Sequence, residues 1–122
     1  MLAVPDHNVV YTTATGTNEI VAIDATTRQV TRRASTGPFP DGLAFDPDDN
    51  LLLVSNKTAG AISVHDAQTL DLIRTIKLGD ETGNVADDPT NRHAYAATLP
   101  PDALVEFDPA TGDHQHHQPS RL

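Results

Sequence analysis

No cysteine occurs among the 122 residues, which excludes disulfides, thiolate nucleophiles and cysteine-based zinc sites. Tryptophan is absent too, and aromatic residues make up only 4% of the chain. Any core must be built from Val, Ile, Leu and Ala, and it will be thin. Basic residues are scarce: eight Lys plus Arg stand against 17 Asp plus Glu, for a formal net charge of -9. Phosphate binding needs clustered Lys and Arg, so this balance argues against nucleic acid and against an anionic membrane surface. No apolar run approaches the roughly 20 residues of a membrane-spanning helix. Residues 1–15 show neither a basic start nor an apolar stretch, so no signal peptide is visible. The glycines are too dispersed for a phosphate-binding loop, and no serine sits in a nucleophile elbow.

What the chain does have is a ruler. Pro5, Pro47 and Pro89 are spaced by 42 residues, as are Asp24, Asp66 and Asp108, and Thr27, Thr69 and Thr111. Eleven of 42 positions are identical between residues 5–46 and 47–88, with no insertion. A repeat of that length means stacked copies of one supersecondary unit.

Each unit divides into short apolar runs separated by turn residues. In the middle unit the runs are Gly42–Phe45, Leu51–Ser55, Ala61–His65 and Leu72–Leu78. Between them lie segments rich in Pro, Asp, Asn and Gly, which fix φ, bond their own backbone or accept positive φ. Leu51 to Val54 and Ile20 to Ile23 are apolar on consecutive residues, the pattern of a strand buried on both faces. Four-stranded sheets of about 40 residues, sandwiched between copies of themselves, are propeller blades. The expected fold is all-β: one partial β-propeller domain over residues 1–122, with blades at about 1–37, 38–79 and 80–122. The core is expected to include Ile20, Ala22, Leu43, Phe45, Leu52, Val54, Ile62, Val64, Val85, Ala86, Val105 and Phe107.

Residues 42–56 with 61–69, and 91–98 with 104–112, resemble the YVTN-type β-propeller repeat. Leu53 departs from it in the Tyr slot, and Asn84-Val85-Ala86-Asp87 is a degraded inner strand. The Gly-His and Trp-Asp marks of WD40 repeats are absent. The resemblance implies a fold shared with lactonase propellers, with surface and periplasmic binding propellers and with propeller subunits of quinone-linked dehydrogenases. It therefore allows a periplasmic or extracellular location, and fold alone does not choose among these functions.

Two groups of residues are candidate ligands. Asp41 lies in the Pro-Asp-Gly loop before an inner strand, and Asn84 lies one blade later, offset by one residue. Gluconolactonase-like propellers place a divalent metal at the channel mouth with Asp and Asn from such loops, and oxygen ligands suit Ca²⁺ or Mg²⁺. A plain turn accounts for the same residues. Neither Glu19 nor Glu81 is a convincing general base. His114 and His116 share one face of the last strand and could hold Zn²⁺, Cu²⁺ or Ni²⁺, with His117 pointing away. A polar, frayed terminal strand accounts for these too. Asp24, Asp66 and Asp108 are expected to cap turns, and His65 to be packed or hydrogen-bonded.

The function expected is a propeller binding or scaffold module. The alternative is a metal-dependent, gluconolactonase-like lactonase or a fragment of one, with a divalent cation such as Ca²⁺, Mg²⁺ or Zn²⁺. Closed propellers use about four to eight blades, so three leave the first and third blades each with an uncovered face. The expected partners are therefore further blades, from a second copy in a six-bladed ring or from a longer protein.

Overall fold

Turn chemistry cuts the chain at regular intervals. In the computed structural model, which describes residues 1–98 and 104–117, the backbone keeps the 42-residue period more faithfully than the side chains do. Asn8, Asn50 and Arg92 all take positive φ (53°, 54° and 59°), and so do Arg28, Leu70 and Gly112 (63°, 66° and 88°). Asn18 and Gly60 form a third matched pair at 55° and 62°. The repeated Asp residues cap the turn between the third and fourth strands. Asp24 Oδ1 accepts from the Thr26 and Thr27 amides at 2.8 Å, Asp66 Oδ1 from Gln68 and Thr69 at 2.8 and 2.9 Å, and Asp108 Oδ1 from Ala110 at 2.8 Å. Those amides hold the Asp24 and Asp66 carboxyls below the usual range.

Between the turns lie twelve antiparallel strands among the described residues. The first blade is β1 (Leu2–Val4), β2 (Val9–Ala14), β3 (Glu19–Asp24) and β4 (Val30–Ser35), with one 3-10 turn at Pro5–His7. The second is β5 (Pro40–Asp46), β6 (Leu51–Asn56), β7 (Ala61–Asp66) and β8 (Leu72–Lys77). The third is β9 (Thr82–Asp88), β10 (His93–Thr98), β11 (Leu104–Phe107) and β12 (His114–His117). Each sheet is a meander in chain order. The sequence pattern of the third unit predicts strands over Ala103–Phe107 and Asp113–Gln118, of which Ala103 and Gln118 lie outside the described residues. No helix among the described residues is long and apolar enough to cross a membrane.

The second blade is sandwiched, and that explains its unbroken apolar strand: all six residues of β6 are buried. Its alternate side chains serve two cores. Leu52 and Val54 join Val4, Tyr11, Ile20, Ala22, Ala67 and Leu70 between the first and second blades. Leu51, Leu53, Ile62 and Val64 join Val85, Ala94, Ala96, Val105 and Phe107 between the second and third.

Three expectations need correction. Leu43 and Phe45 are half-buried at the edge of the first core rather than within it. Ala86 is exposed. It pairs with Tyr95, on the third blade's outer face, where no described sheet packs. Arg74, which the alternating pattern of the run Leu72–Leu78 places in solvent along with Lys77, is half-buried, with its stem beside the Gly112 turn and its Nε lacking a hydrogen-bond partner.

Candidate functional site

Asp41 and Asn84 sit at corresponding places on neighbouring inner strands. Pro40 pairs with Asn56 and Gly42 with Ser55, so Asp41 is the extra residue of a β-bulge. In the third blade the register shifts between Ala96 and Thr98, opposite Gly83 and Asn84. Bulges re-aim side chains, and both Asp41 and Asn84 are exposed. Partial burial of the Asp41 carboxyl pushes its pKa up, against the opposing pull of Lys57 and Ser55. Among the described residues no three His, Asp or Glu side chains converge to hold an ion. Two oxygen donors alone supply a small part of the six to eight that Ca²⁺ needs. Glu19 accepts from Thr17 Oγ1 at 2.8 Å and faces Arg33 at 3.8 Å.

The histidines divide between the two faces of β12. His114 and His116 are exposed, their rings edge-to-face with centroids 5.6 Å apart. His117 lies on the other face, where its Nε2 is 3.0 Å from Glu106 Oε1, while His93 Nδ1 bonds Glu106 Oε2. Bonds from His93 and then His117 lower the Glu106 carboxyl pKa. This trio was not anticipated. The clue was present: His93, Tyr95 and Glu106 share one face once β10 and β11 are set in register, with Tyr95 opposite Glu106. The third blade's outer face is thus mixed in polarity, with Tyr95, Ala97 and Leu104 beside the trio.

A buried polar chain crosses the second blade. Asn56 Nδ2 donates to Ser63 Oγ (3.0 Å), the Ser63 hydroxyl donates to His65 Nε2 (3.0 Å), and His65 Nδ1–H donates to the Leu70 carbonyl (3.0 Å). The carbonyl can only accept, which fixes this direction and the tautomer. Burial lowers the His65 pKa, so the ring is neutral at pH 7. His65 is therefore hydrogen-bonded core, as expected. Behind it, Ser55 Oγ donates to Thr82 Oγ1 at 2.8 Å and Thr82 Oγ1 to the Asn56 carbonyl at 3.2 Å, joining the second blade to the third.

Asp87 is the least comfortable carboxylate. It occupies the slot of Phe45 one period earlier, faces the second blade, and has both oxygens buried without hydrogen-bond partners. Burial, reinforced by the charges of Asp46, Asp48 and Asp88, raises its pKa to about 6. A raised folded-state pKa means that the stabilisation from protonation is fully present below the unfolded value near 3.8 and is lost as pH rises through about 6. We predict that Asp87→Asn stabilises the protein by about 1 kcal/mol at pH 8, a figure discounted for solvent screening. The gain should fade below about pH 4. Urea denaturation of both proteins across that range checks it, and an equal gain at every pH would contradict it.

A cavity of about 370 Å³ lies between the first two blades, lined by His7, Val9, Tyr11, Ala22, Arg32 and Gln68 among others. Neither Asp41 nor Asn84 lines it. A smaller one of about 270 Å³ borders His93, Glu106 and His114.

Comparison with known proteins places this geometry in a fold. No family model matches the chain, and no curated protein does. Solved structures do. Hydrazine synthase of Kuenenia stuttgartiensis is similar at a TM-score of 0.84 and 25% identity, over 92% of this chain and 32% of that one. The WD40 repeats of RRP9 match at 0.80 and 12% identity, over 93% and 36%. A β-propeller domain from Myceliophteria thermophila matches at 0.76 and 13% identity, over 93% and 36%. The chain spans about a third of each of these relatives. Its three four-stranded antiparallel sheets are three blades of a β-propeller.

Proposed function

We infer that this chain is a propeller binding or scaffold module whose remaining blades come from a second copy. The observation that carries this reading is the pair of uncovered sheet faces. Val10, Val21 and Ile23 occupy the first blade's outer face and belong to neither core, although each is buried or half-buried by its own neighbours. Two sets of three blades would make a six-bladed ring, in the range of about four to eight that closes. Its two heterologous contacts would be related by a two-fold axis. The YVTN-type assignment belongs to this reading and rests on the repeat residues. Ile23→Glu tests it: Ile23 lies outside both cores, so the charge acts on the uncovered face alone, and the variant should lose the folded two-chain form on size exclusion. An unchanged elution volume would oppose the reading.

A metal-assisted lactonase is the second reading, favoured by the matched bulges that expose Asp41 and Asn84 on adjacent inner strands. Calorimetry with Ca²⁺, Mg²⁺, Mn²⁺ and Zn²⁺ tests it. Binding heat that disappears in Asp41→Ala would support it, and no heat with any of the four would end it.

A further inference from the structure

We propose that the cleft between the first and second blades binds a small organic carboxylate, with the Arg32 guanidinium as its anchor. The cleft is about 370 Å³, and its existence follows from the repeat. Between the second and third blades, Leu51 and Val64 fill the corresponding volume and belong to the core. One period earlier those slots hold Val9 and Ala22, which are smaller, and the space stays open.

The lining is chemically divided. Tyr11, Ala22 and Arg32 form one cross-strand row on the face turned toward the second blade, since Tyr11 pairs with Ala22 and Ala22 with Arg32. Tyr11 is buried, and its hydroxyl is spent on the Ala67 carbonyl at 2.6 Å, so it offers its ring as an apolar wall. At the mouth, the side chains of Arg32 and Gln68 have no hydrogen-bond or ion-pair partner among the described residues, and the His7 ring packs edge-on against the Phe45 ring, with centroids 5.3 Å apart. Arg33, next in sequence, is paired with Glu19, but Arg32 is not. An unpaired guanidinium at the mouth of a cleft whose walls are part apolar (Val9, Ala22 and the Tyr11 ring) and part polar matches the planar fork of a carboxylate. The opposing charges nearby are Asp6, adjacent to His7, and Asp66, whose Oδ1 accepts from the Gln68 and Thr69 amides. The cleft lies between two blades of one chain, so the inference does not depend on how the ring is completed.

The test is an NMR titration of the full chain with benzoate, and with benzamide as a neutral control of the same shape. Saturable shifts at the Tyr11, Ala22 and Arg32 amides are expected with benzoate, and binding of benzamide at least about tenfold weaker. Arg32→Gln, at an exposed position, should keep a dispersed spectrum and lose about tenfold or more in benzoate affinity. Ala22→Val, which copies Val64, should close the cleft and abolish the shifts. Equal affinity for benzoate and benzamide, unchanged affinity in Arg32→Gln, or no saturable shift up to about 20 mM would each overturn the proposal.

Discussion

Replacing Ile62 with aspartate should leave no folded protein at neutral pH. Ile62 is fully buried in β7, paired with Ser55 on one side and Ile76 on the other, in the core between the second and third blades. Losing the side chain costs about 2–5 kcal/mol through lost burial and the cavity left behind. The carboxylate adds several kcal/mol more, the cost of burying a charge among the aliphatic side chains of that core. A small domain has about 5–15 kcal/mol in all, and one with a thin aliphatic core sits toward the lower end. Far-UV circular dichroism should show a coil without a cooperative thermal transition. Ile62→Val should keep the fold at a cost of about 1 kcal/mol, which separates the effect of charge from that of volume. A native-like spectrum for Ile62→Asp would mean that this face is wet, and that the blades do not pack as described.

The second large effect is expected at Gly60. Its φ is +62°, and a Cβ there would lie 2.0 Å from the Gly79 carbonyl oxygen and 2.7 Å from its carbon. The obstruction is backbone, so no rotamer change relieves it. The same turn is tied by the Leu78 and Gly79 amides, which donate to the Gly60 carbonyl at 2.9 and 3.1 Å. Gly60→Ala must break that approach as well as bear left-handed strain of about 1–2 kcal/mol. We expect a total loss of about 3–5 kcal/mol, in the diagnostic tail of single substitutions. Gly16→Ala is the control: nothing lies within 4 Å of its added Cβ. Its urea midpoint should stay within about 0.5 kcal/mol of the parent.

Turn residues made the architecture legible. Pro, Asp, Thr and Gly recur at 42-residue spacing because each turn imposes the same dihedrals and the same amide donors on every blade, and those demands are local. The consecutive apolar residues of β6 likewise announced a strand covered on both sides. Other features were hidden because they depend on facing. Arg28 and Leu70 take the left-handed conformation that Gly112 takes one or two periods later, and nothing in their side chains signals it. Ala86 looked like core because it follows Val85 and matches Ala44 one period earlier, yet its parity sends it to the uncovered face. Of the candidate ligands, the bulge shared by Asp41 and Asn84 follows from their place in the repeat. The His93–Glu106–His117 trio required the register of three strands. The cleft at Arg32 could have been found by slot comparison alone, since Ala22 and Val9 are visibly smaller than Val64 and Leu51.

The central claim is that three blades with two uncovered faces do not persist alone. Sedimentation velocity of the full chain at micromolar concentration, paired with circular dichroism of the same sample, tests it most directly. The account predicts that folded material sediments at twice the 13.0 kDa chain mass and that no folded species is found at the monomer mass. A folded 13.0 kDa monomer that unfolds cooperatively would contradict it, and would show that the outer faces of the first and third blades are stable in water.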